Sequence, residues 1–359
     1  MKVLLVNPGA NSSTADVSEA LRDGLEHHGV QVVHYRLDSR IDRSERWLYY
    51  NWRKAKKTQP TITKPTTADV FYQAGIDALA TALRHEVDCV LVISAMYLHP
   101  DVIILMKRAG LRVAVVFTES PYDQAKEINV ANMVDGCWTN ERSVVSAFKA
   151  VNPHSGYLPH GWHPGRHMPG PQPGDETWPA HDVVFVGSAF HDRVTWLMEI
   201  DWEGIDLGLY GNWENVTARH PLRKFVRSGV VNNLGAAALY RRAKIGLNLY
   251  RLSTGWGRHS PLIAHAESLN PRAYELARCG AFSLSSYRAE VPEVFGDLVP
   301  TFRNSSEASR LIRQWLADDV GRARVQQHLP ACVAESSWRN RATTVIGDLQ
   351  TLLQAQAVA

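Results

Sequence analysis

Short, β-branched apolar runs alternate with helix-like segments along this 359-residue chain, and this alternation constrains the fold more than any other feature. A first series includes KVLLVNPG, VDCVLVIS and RVAVVFTES, and a second begins with HDVVFVGS and continues through AKIGLNLY and GAFSLSS. Such alternation predicts parallel sheets with helices on both faces and ligands at the carboxyl ends of the strands. We therefore expect two similar α/β units that face each other across a cleft.

The two series are separated by HPGRHMPGPQPGDETWPAHD, whose prolines and glycines are typical of a linker. We predict a first domain at residues 1–166, a linker at 167–180 and a second domain at 181–338. Two domains agree with a prior of roughly 150 residues per domain. The last helix, residues 339–359, either caps the second domain or crosses back to the first.

A hydrophobic content of 45% and a charged content of 21% are typical of soluble globular proteins. No apolar run approaches the roughly 18 residues that would cross a bilayer, and the apolar run at the N-terminus is too short for a signal-peptide core. We therefore expect a cytoplasmic protein without membrane insertion.

No metal site is predicted. The four cysteines are far apart and form no C-x-x-C pair, so neither a zinc site nor a disulfide framework is indicated. His160, His163 and His167 lie in the proline- and glycine-rich stretch without a carboxylate partner. We expect no cofactor.

The segment LNPRAYELARCGAF predicts a helix with Asn270 as N-cap, Pro271 at the first position and Gly280 after the end. Arg272 falls in the first turn, where the macrodipole disfavours a cation by roughly 0.3 to 1 kcal/mol unless an anion is present. A phosphate would resolve this conflict, with Arg272 on the phosphate and Glu275 on a sugar hydroxyl. The alternative is an Arg272–Glu275 ion pair on a solvated helix face.

A second segment, VVFVGSAFHDRVTWLMEI, predicts a strand, a turn at Gly187, an N-cap at Asp192 and a helix beginning near Arg193. Gly187 and Ser188 would let the backbone approach a ligand, and Arg193 would offer its two-pronged guanidinium to a diphosphate. An ordinary surface arginine beside a capping aspartate is the alternative.

Glycine-rich turns also follow the strands in GLYGNW and NLYRLSTGWGRHS. Tyr210 and Gly211 are assigned to the donor site, with Tyr210, Trp213 and Tyr250 as rings that a base could stack on. The alternative for each ring is a place in the core. His160, in LPHGW, either touches the donor or packs in its loop.

These segments resemble CgeB-like glycosyltransferases, within the GT-B group of nucleotide-sugar enzymes, over about residues 180–345. In that group an E-x7-E pattern precedes the last sheet strand, and Glu267 and Glu275 followed by LARCGAF match it. The resemblance implies two Rossmann-like domains and a nucleotide-diphosphate sugar donor, with a UDP-sugar favoured. It also implies that Glu275 binds the ribose hydroxyls, that Glu267 lies nearer the sugar, and that Arg193 and Arg272 bind the diphosphate.

The first domain matches more loosely, through YLHPDVIILMKRAGLRVAVVFTESPYD and NPHSGYLPHGWHP. An acidic pair often stands in the family where this chain has Glu119 followed by Ser120. An inverting transfer needs a base at the acceptor hydroxyl, for which His99, Glu119 and Asp123 are candidates, whereas a retaining transfer needs none. The resemblance favours retention. Arginines and helix amides can stabilise the departing diphosphate without a metal.

The NPGANSS turn after the first strand places Gly9 and Asn11 where they could contact donor or acceptor. The alternative is an ordinary strand-to-helix turn. The turn lacks the G-x-G-x-x-G of a dinucleotide-binding oxidoreductase.

Residues 40–64 are basic and aromatic, with eight lysines and arginines against Asp42 and Glu45. Phosphates give affinity to such a segment and rings accept displaced bases, so a modified DNA base, drawn out of its stack, could be the acceptor. The assigned contacts are Trp47, Trp52, Arg53, Lys54 and Lys57.

The same basic segment has alternatives to a DNA acceptor site. It could be an amphipathic helix whose rings pack on the sheet while its cations stay solvated. A protein, glycan or small-molecule acceptor is also open. A non-catalytic nucleic-acid-binding module would explain the segment but not the arginines at the helix starts of the second domain.

Overall fold

The computed structural model describes residues 1–9, 12–229, 231–263 and 265–357. It consists of two compact units, Met1–Leu158 with Arg339–Ala359, and Pro159–Trp338. Each contains a six-stranded, all-parallel sheet with helices between the strands. The prediction of a two-domain, Rossmann-like α/β fold is confirmed.

The sheet of the first unit has the strand order β2-β1-β3-β4-β5-β6. Its β3 is completely buried, as expected for a continuous β-branched run covered on both faces. The strands are β1 Lys2–Val6, β2 Gln31–Tyr35, β3 Cys89–Ile93, β4 Arg112–Val116, β5 Gly136–Thr139 and β6 Ser155–Tyr157. The helices are α1 Ser12–His27, α2 Leu37–Ala55, α3 Thr67–His85, α4 Pro100–Arg108, α5 Gln124–Ala131 and α6 Val145–Val151.

The sheet of the second unit has the strand order β12-β11-β10-β7-β8-β9. The strands are β7 Val183–Val186, β8 Leu207–Tyr210, β9 Val226–Ser228, β10 Ile245–Asn248, β11 Ser283–Ser286 and β12 Thr301–Phe302. The helices are α7 His191–Glu199, α8 Asn233–Arg242, α9 Pro271–Arg278, α10 Glu290–Phe295, α11 Ser305–Leu316 and α12 Asp319–Cys332. The chain runs from β7 through β8 to β9 and then returns to place β10 on the other side of β7. The strand order therefore reverses between β7 and β10.

Residues 159–180 belong to the second unit in the structure, whereas the sequence predicts a domain boundary at 166 and a linker at 167–180. Trp162 is buried and donates its Nε1–H to the carbonyl oxygen of Val333 at 2.6 Å. Asp175 forms an ion pair with Arg241 at 2.6 Å, and both side chains are less than a tenth exposed. The proline and glycine content predicts an irregular path but does not reveal that this path is packed.

The last helix, α13 Trp338–Ala357, follows the second unit in sequence, but from Arg339 onward the chain groups with the first unit. Asp348 accepts a hydrogen bond from the Trp138 indole at 2.8 Å, and Arg339 pairs with Asp23 at 3.0 Å. Val345 and Leu349 are buried, so the apolar stripe of the helix is used in packing. Among the helices the structure describes, none is both long and apolar enough to cross a bilayer.

Candidate functional site

The carboxyl ends of β7 and β10 are the natural place for a ligand in the second unit, because the strand order reverses between them. The chain leaves β7 through Gly187 and Ser188, and it leaves β10 at Asn248. Helix α9, with Arg272 in its first turn, begins beside these two strand ends.

The turn after β7 is closed in by its neighbours. A side chain at Gly187 would place its Cβ 2.5 Å from Nη2 of Arg272. Gly211, with φ of +120°, packs so closely that its Cβ would lie 2.4 Å from the carbonyl oxygen of Gly187. Gly211 is therefore required by its close approach to backbone, whereas Gly187 leaves the room that the Arg272 guanidinium and the Phe185 ring occupy.

Helix α9 begins and ends as the sequence predicts. Asn270 is the N-cap and its side chain accepts a hydrogen bond from the Ala273 amide at 3.1 Å, while Pro271 is the first helical residue. After the helix, Gly280 adopts φ of +67°. These local signals hold the first turn of α9, and with it Arg272, in a fixed place.

Arg272 is held in place and yet has bonding capacity left. Its Nη1 donates to Oδ1 of Asn248 at 3.2 Å, and its Cζ lies 4.8 Å from the ring centroid of Phe185. Its Nε is buried and has no hydrogen-bond partner among the described residues. A buried, unsatisfied N–H costs on the order of 1–3 kcal/mol, which an acceptor atom of a ligand would recover.

Glu275 and Tyr240 lie near Arg272. Burial raises the pKa of the Tyr240 hydroxyl well above its usual range, the negative charge of Glu275 adds to this rise, and Arg272 opposes it. Glu275 itself is half-buried, one turn along α9 from Arg272. The two charged residues that the sequence assigns to phosphate and ribose therefore share one side of this helix.

Asn248 joins these groups, and the sequence analysis did not single it out. The side chain is 1% exposed, and its Oδ1 accepts hydrogen bonds from Asn270 at 2.9 Å and Arg272 at 3.2 Å. Its Nδ2 donates to Ser285 at 3.3 Å. In the sequence, the signal for this residue is an asparagine at the end of the otherwise apolar strand IGLN.

Glu267 lies in the loop before α9 and is half-buried. The neighbouring Glu290, which is 6% exposed, accepts a hydrogen bond from the Leu269 amide at 2.8 Å and donates its own amide to the Glu267 carbonyl at 3.1 Å. Glu290 is thus a second residue that the sequence analysis missed, and it orders the loop that carries Glu267.

Arg193 differs from its prediction. The side chain is 9% exposed, and it donates to the carbonyl oxygens of Leu249 at 3.1 Å and Ser188 at 3.2 Å. It ties the turn after β7 to the end of β10, and this placement does not support a direct diphosphate contact. The pattern predicts the helix start, but the direction of the side chain also depends on the Leu249 carbonyl, which is 56 residues away in sequence.

Asp192 is not an N-cap, which corrects another prediction. Helix α7 begins at His191 after Phe190, without a side-chain cap. The Asp192 carboxylate instead accepts hydrogen bonds from the Leu252 amide at 2.8 Å and the Ser253 hydroxyl at 2.6 Å. It holds the loop that follows β10.

The predicted stacking rings belong to the core. Tyr210 is 2% exposed, and its hydroxyl bonds to His181 at 2.8 Å, so the predicted contact between its ring and the donor is corrected. Trp213 and Tyr250 are buried as well. His160 is buried with its ring 6.3 Å from that of Trp338, which agrees with loop packing.

In the first unit, His99 follows β3 and caps α4. Its Nδ1 accepts a hydrogen bond from the Asp101 amide at 3.2 Å, and its ring meets Tyr72 edge-to-face at 5.4 Å. A neutral imidazole with Nδ1 as acceptor carries its proton on Nε2. In this arrangement Nδ1 of His99 is occupied, and the role of His99 as an acceptor-activating base stays a prediction.

Glu119 and Asp123 lie in one turn after β4. The Glu119 carbonyl accepts from the Tyr122 amide at 2.7 Å, and the Asp123 carboxylate pairs with Lys126 at 3.0 Å. A cavity of about 390 Å³ lies here, and it is lined by Pro121, Tyr122, Asp123, Gln124, Ala125 and Ile128. Asp123 faces this cavity, whereas Glu119 is not among the lining residues.

Glu127, which the sequence analysis missed, supports the same turn. The carboxyl group is 5% exposed and accepts hydrogen bonds from the Ser120 hydroxyl and, at 3.0 Å, from the Glu119 amide. Burial raises the pKa of Glu127 to about 7. It holds the turn in shape through both bonds.

Gly9 adopts φ of +74°, and a Cβ there would lie 3.0 Å from Tyr97. Its amide donates to Asn7 Oδ1 at 3.3 Å, in a turn that also involves Asp38. Asn11 lies outside the described residues.

The basic segment forms α2 and the turn after it. Trp47 and Tyr50 are 57% and 66% exposed, whereas Trp52 is half-buried and donates to the Ile62 carbonyl at 3.3 Å. Arg53, Lys54 and Lys57 are exposed. Within the residues that the structure describes, no group of three or more His, Cys, Asp or Glu side chains could hold a metal ion.

Comparison with known proteins gives a family match over part of the chain and a fold over nearly all of it. Residues 192–347 match the family described as glycosyl transferase-like. No curated protein matches the sequence.

Solved structures match over nearly the whole chain. A sucrose-phosphate synthase from Thermosynechococcus elongatus has a TM-score of 0.66 at 12% identity, with 99% of this chain and 100% of that chain covered. A UDP-forming α,α-trehalose-phosphate synthase from Burkholderia xenovorans has a TM-score of 0.56 at 11% identity, with 98% and 99% covered. A trehalose-6-phosphate synthase, studied for glycosyl transfer with retention, has a TM-score of 0.59 at 9% identity, with 97% and 99% covered. The family match over residues 192–347 and the fold of the two units together support a glycosyltransferase of the GT-B superfamily.

Proposed function

We propose that this protein transfers a sugar from a nucleotide-diphosphate donor, a UDP-sugar, to a hydroxyl group of a large acceptor, with retention and without a metal ion. The observation that carries the proposal is Arg272, which lies at the start of α9 over the bare backbone of Gly187 with its buried Nε unbonded among the described residues. Two structural neighbours point the same way, because one is a UDP-forming synthase and another was studied for glycosyl transfer with retention.

The donor diphosphate would bind where α9 begins. The positive end of a helix dipole and an arginine both favour an anion, and both become more favourable as the leaving group gains charge. Arg272 would therefore stabilise the departing nucleoside diphosphate. Asn248 would act through Arg272 by holding its guanidinium toward the turn after β7.

The nucleoside and the sugar would contact the two glutamates. A carboxylate accepts hydrogen bonds from two neighbouring hydroxyl groups, which suits Glu275 to the ribose. Glu267, in the loop that Glu290 orders, would lie nearer the sugar. Gly187, Ser188 and Gly211 would supply bare backbone for close approach.

The hydrogen-bond partners of the candidate bases favour a transfer with retention of the anomeric configuration. His99 has its Nδ1 occupied by the Asp101 amide, so this nitrogen is not free to remove a proton. An inverting transfer would depend on Glu119 or Asp123, of which Asp123 lines the cavity after β4. Stereochemistry follows from analysis of the product anomer by nuclear magnetic resonance.

Titration calorimetry with UDP, GDP and ADP tests the donor site. We expect UDP to bind tightest and its affinity to fall by about tenfold or more in Glu275→Ala, because two hydroxyl hydrogen bonds to a charged group are lost. Glu214→Ala removes an exposed glutamate of the same unit and serves as the control. Equal UDP affinity in both variants, or NADH binding in place of UDP, would contradict the proposal.

A further inference from the structure

Helix α2 shows two unlike faces. Its inner face packs toward α3 and carries Leu37 and Ser44, which are buried, and Ile41, Leu48 and Trp52, which are half-buried. These positions recur at helical spacing, so one side of α2 is committed to the fold. The opposite side is the outer face, which includes positions 43, 46, 47, 50, 53 and 54 and continues into position 57 in the turn after α2.

Two aromatic rings stand on the outer face. Trp47 and Tyr50 are one turn apart and are 57% and 66% exposed. Among the described residues, neither ring contacts another ring or a cation, whereas the half-buried Tyr49 and Trp52 are covered by Lys64 and Lys56. Large rings left uncovered in this way indicate a binding surface more often than a structural need.

The outer face is also strongly positive, with Asp42 at its edge. Five exposed cations surround the two rings. Four of them lie on α2, where the helix rise of 1.5 Å per residue spreads positions 43 to 54 over about 17 Å, and Lys57 lies in the turn that follows. Within the part of the chain that the structure describes, none of the five forms an ion pair. They are Arg43, Arg46, Arg53, Lys54 and Lys57.

Several other surface cations of the unit have acidic partners. Arg112 and Lys107 pair with Asp135 at 2.9 and 3.5 Å, and Arg36 pairs with Asp38 at 2.7 Å. The unpaired charge on the outer face therefore suits a partner that brings several negative charges.

We propose that the outer face of α2 binds a single-stranded nucleic acid, whose phosphates contact the five cations and whose bases stack on Trp47 and Tyr50. Stacking requires unpaired bases, which a duplex keeps within its own stack. An anionic membrane is the other polyanion that a basic helix could meet. However, the aliphatic side of α2 is packed toward α3, and the outer face offers only the two rings for insertion.

The binding is separate from sugar transfer. A role of the bound strand as the acceptor of the sugar rests on the proposed function, whereas the binding itself does not. UDP titration of each variant distinguishes the two, because a variant of α2 that binds UDP normally has lost the nucleic-acid surface and not the donor site.

The test is fluorescence anisotropy of a labelled thymidine oligonucleotide of about 20 nucleotides, longer than the roughly 4–16 nucleotides that one single-strand module covers. In the full-length protein, Lys54→Glu/Lys57→Glu is expected to weaken binding by at least about tenfold and to reduce the salt dependence of the affinity. Arg108→Glu/Lys149→Glu makes the same charge change on exposed positions of two other helices and should leave binding nearly unchanged.

The rings are tested by Trp47→Ala/Tyr50→Ala, which leaves the net charge unchanged. We expect binding to weaken by about tenfold or more, with the salt dependence preserved, because stacking is lost while the phosphate contacts stay. Equal losses in the control pair, tighter binding of a matching duplex, or binding to phosphatidylserine vesicles without binding to the oligonucleotide would each overturn the proposal.

Discussion

The starts of helices α7 and α9 show how one sequence pattern can serve two purposes. In both, an arginine near the helix start lies beside the point where the strand order reverses. Both guanidinium groups lie near the Phe185 ring, with Cζ 5.6 Å from the ring centroid in Arg193 and 4.8 Å in Arg272. Arg193 is 9% exposed and bonds to two backbone carbonyls, whereas Arg272 bonds to the Asn248 side chain and has an unbonded Nε among the described residues. The first arginine supports the site, and the second is available to a ligand.

The strongest test of this difference is Arg193→Ala. Because two buried carbonyls lose a charged donor, we expect the free energy of unfolding of the second unit to fall by about 3 kcal/mol. Urea denaturation followed by circular dichroism measures this loss, with the exposed Arg310→Ala on α11 as the control. A stable variant that no longer binds UDP would reverse the roles assigned to the two arginines.

Arg272→Ala should weaken UDP binding with little loss of stability. We expect UDP affinity to fall by about 30-fold, roughly 2 kcal/mol, while the free energy of unfolding changes by less than about 1 kcal/mol, because a charged phosphate contact is lost and few protein contacts are. Titration calorimetry and urea denaturation of the same preparation give both numbers. Unchanged UDP affinity would remove the basis of the proposed donor site.

Asn248→Ala should lie between these two variants. It frees Arg272 and the N-cap Asn270 from a shared acceptor, so we expect about 1.5 kcal/mol less stability and about tenfold weaker UDP binding. Asn248 positions Arg272, so the binding loss should shrink in an Arg272→Ala background, as a double-mutant cycle would measure. Additive losses would mean that Asn248 acts independently of Arg272.

The smallest effect is expected for Arg272→Lys. Lysine keeps the positive charge but loses the planar guanidinium with its fixed donors, so UDP affinity should fall by only about fivefold, about 1 kcal/mol. Calorimetry across a salt series separates charge from geometry. A loss as large as that of the alanine variant would show that geometry, and not charge, dominates phosphate binding.

Local signals were read correctly from the sequence. The parallel strands follow from β-branched runs, and the bounds of α9 follow from Asn270, Pro271 and Gly280, because caps act within a few residues. The E-x7-E spacing directed attention to the loop and helix that hold Glu267 and Glu275. The periodicity of α2 also indicates one buried and one exposed side of the helix. Trp47 and Trp52 were both predicted to contact the acceptor, but Trp47 is exposed and Trp52 is half-buried.

Long-range contacts were not accessible in this way. One of the two carbonyls that Arg193 meets belongs to Leu249, 56 residues away in sequence, and the amide and hydroxyl that Asp192 meets lie about sixty residues away. Tyr210 was placed at the site because a glycine turn follows it, yet its hydroxyl is used by His181 in the core. Asn248, Glu127 and Glu290 are single polar residues. Their roles depend on the hydrogen-bond partners that the fold brings close to them.

The paired glycines at positions 187 and 211 limit how this site can change. Any larger residue at 211 meets the main chain of its neighbour, whatever stands at 187, and one at 187 displaces the guanidinium above it. Position 211 cannot vary without moving backbone, whereas a side chain at 187 requires the Arg272 guanidinium and the Phe185 ring to move. Variation at this site must therefore proceed through the side chains around the turn, while the bare backbone at Gly211 stays fixed.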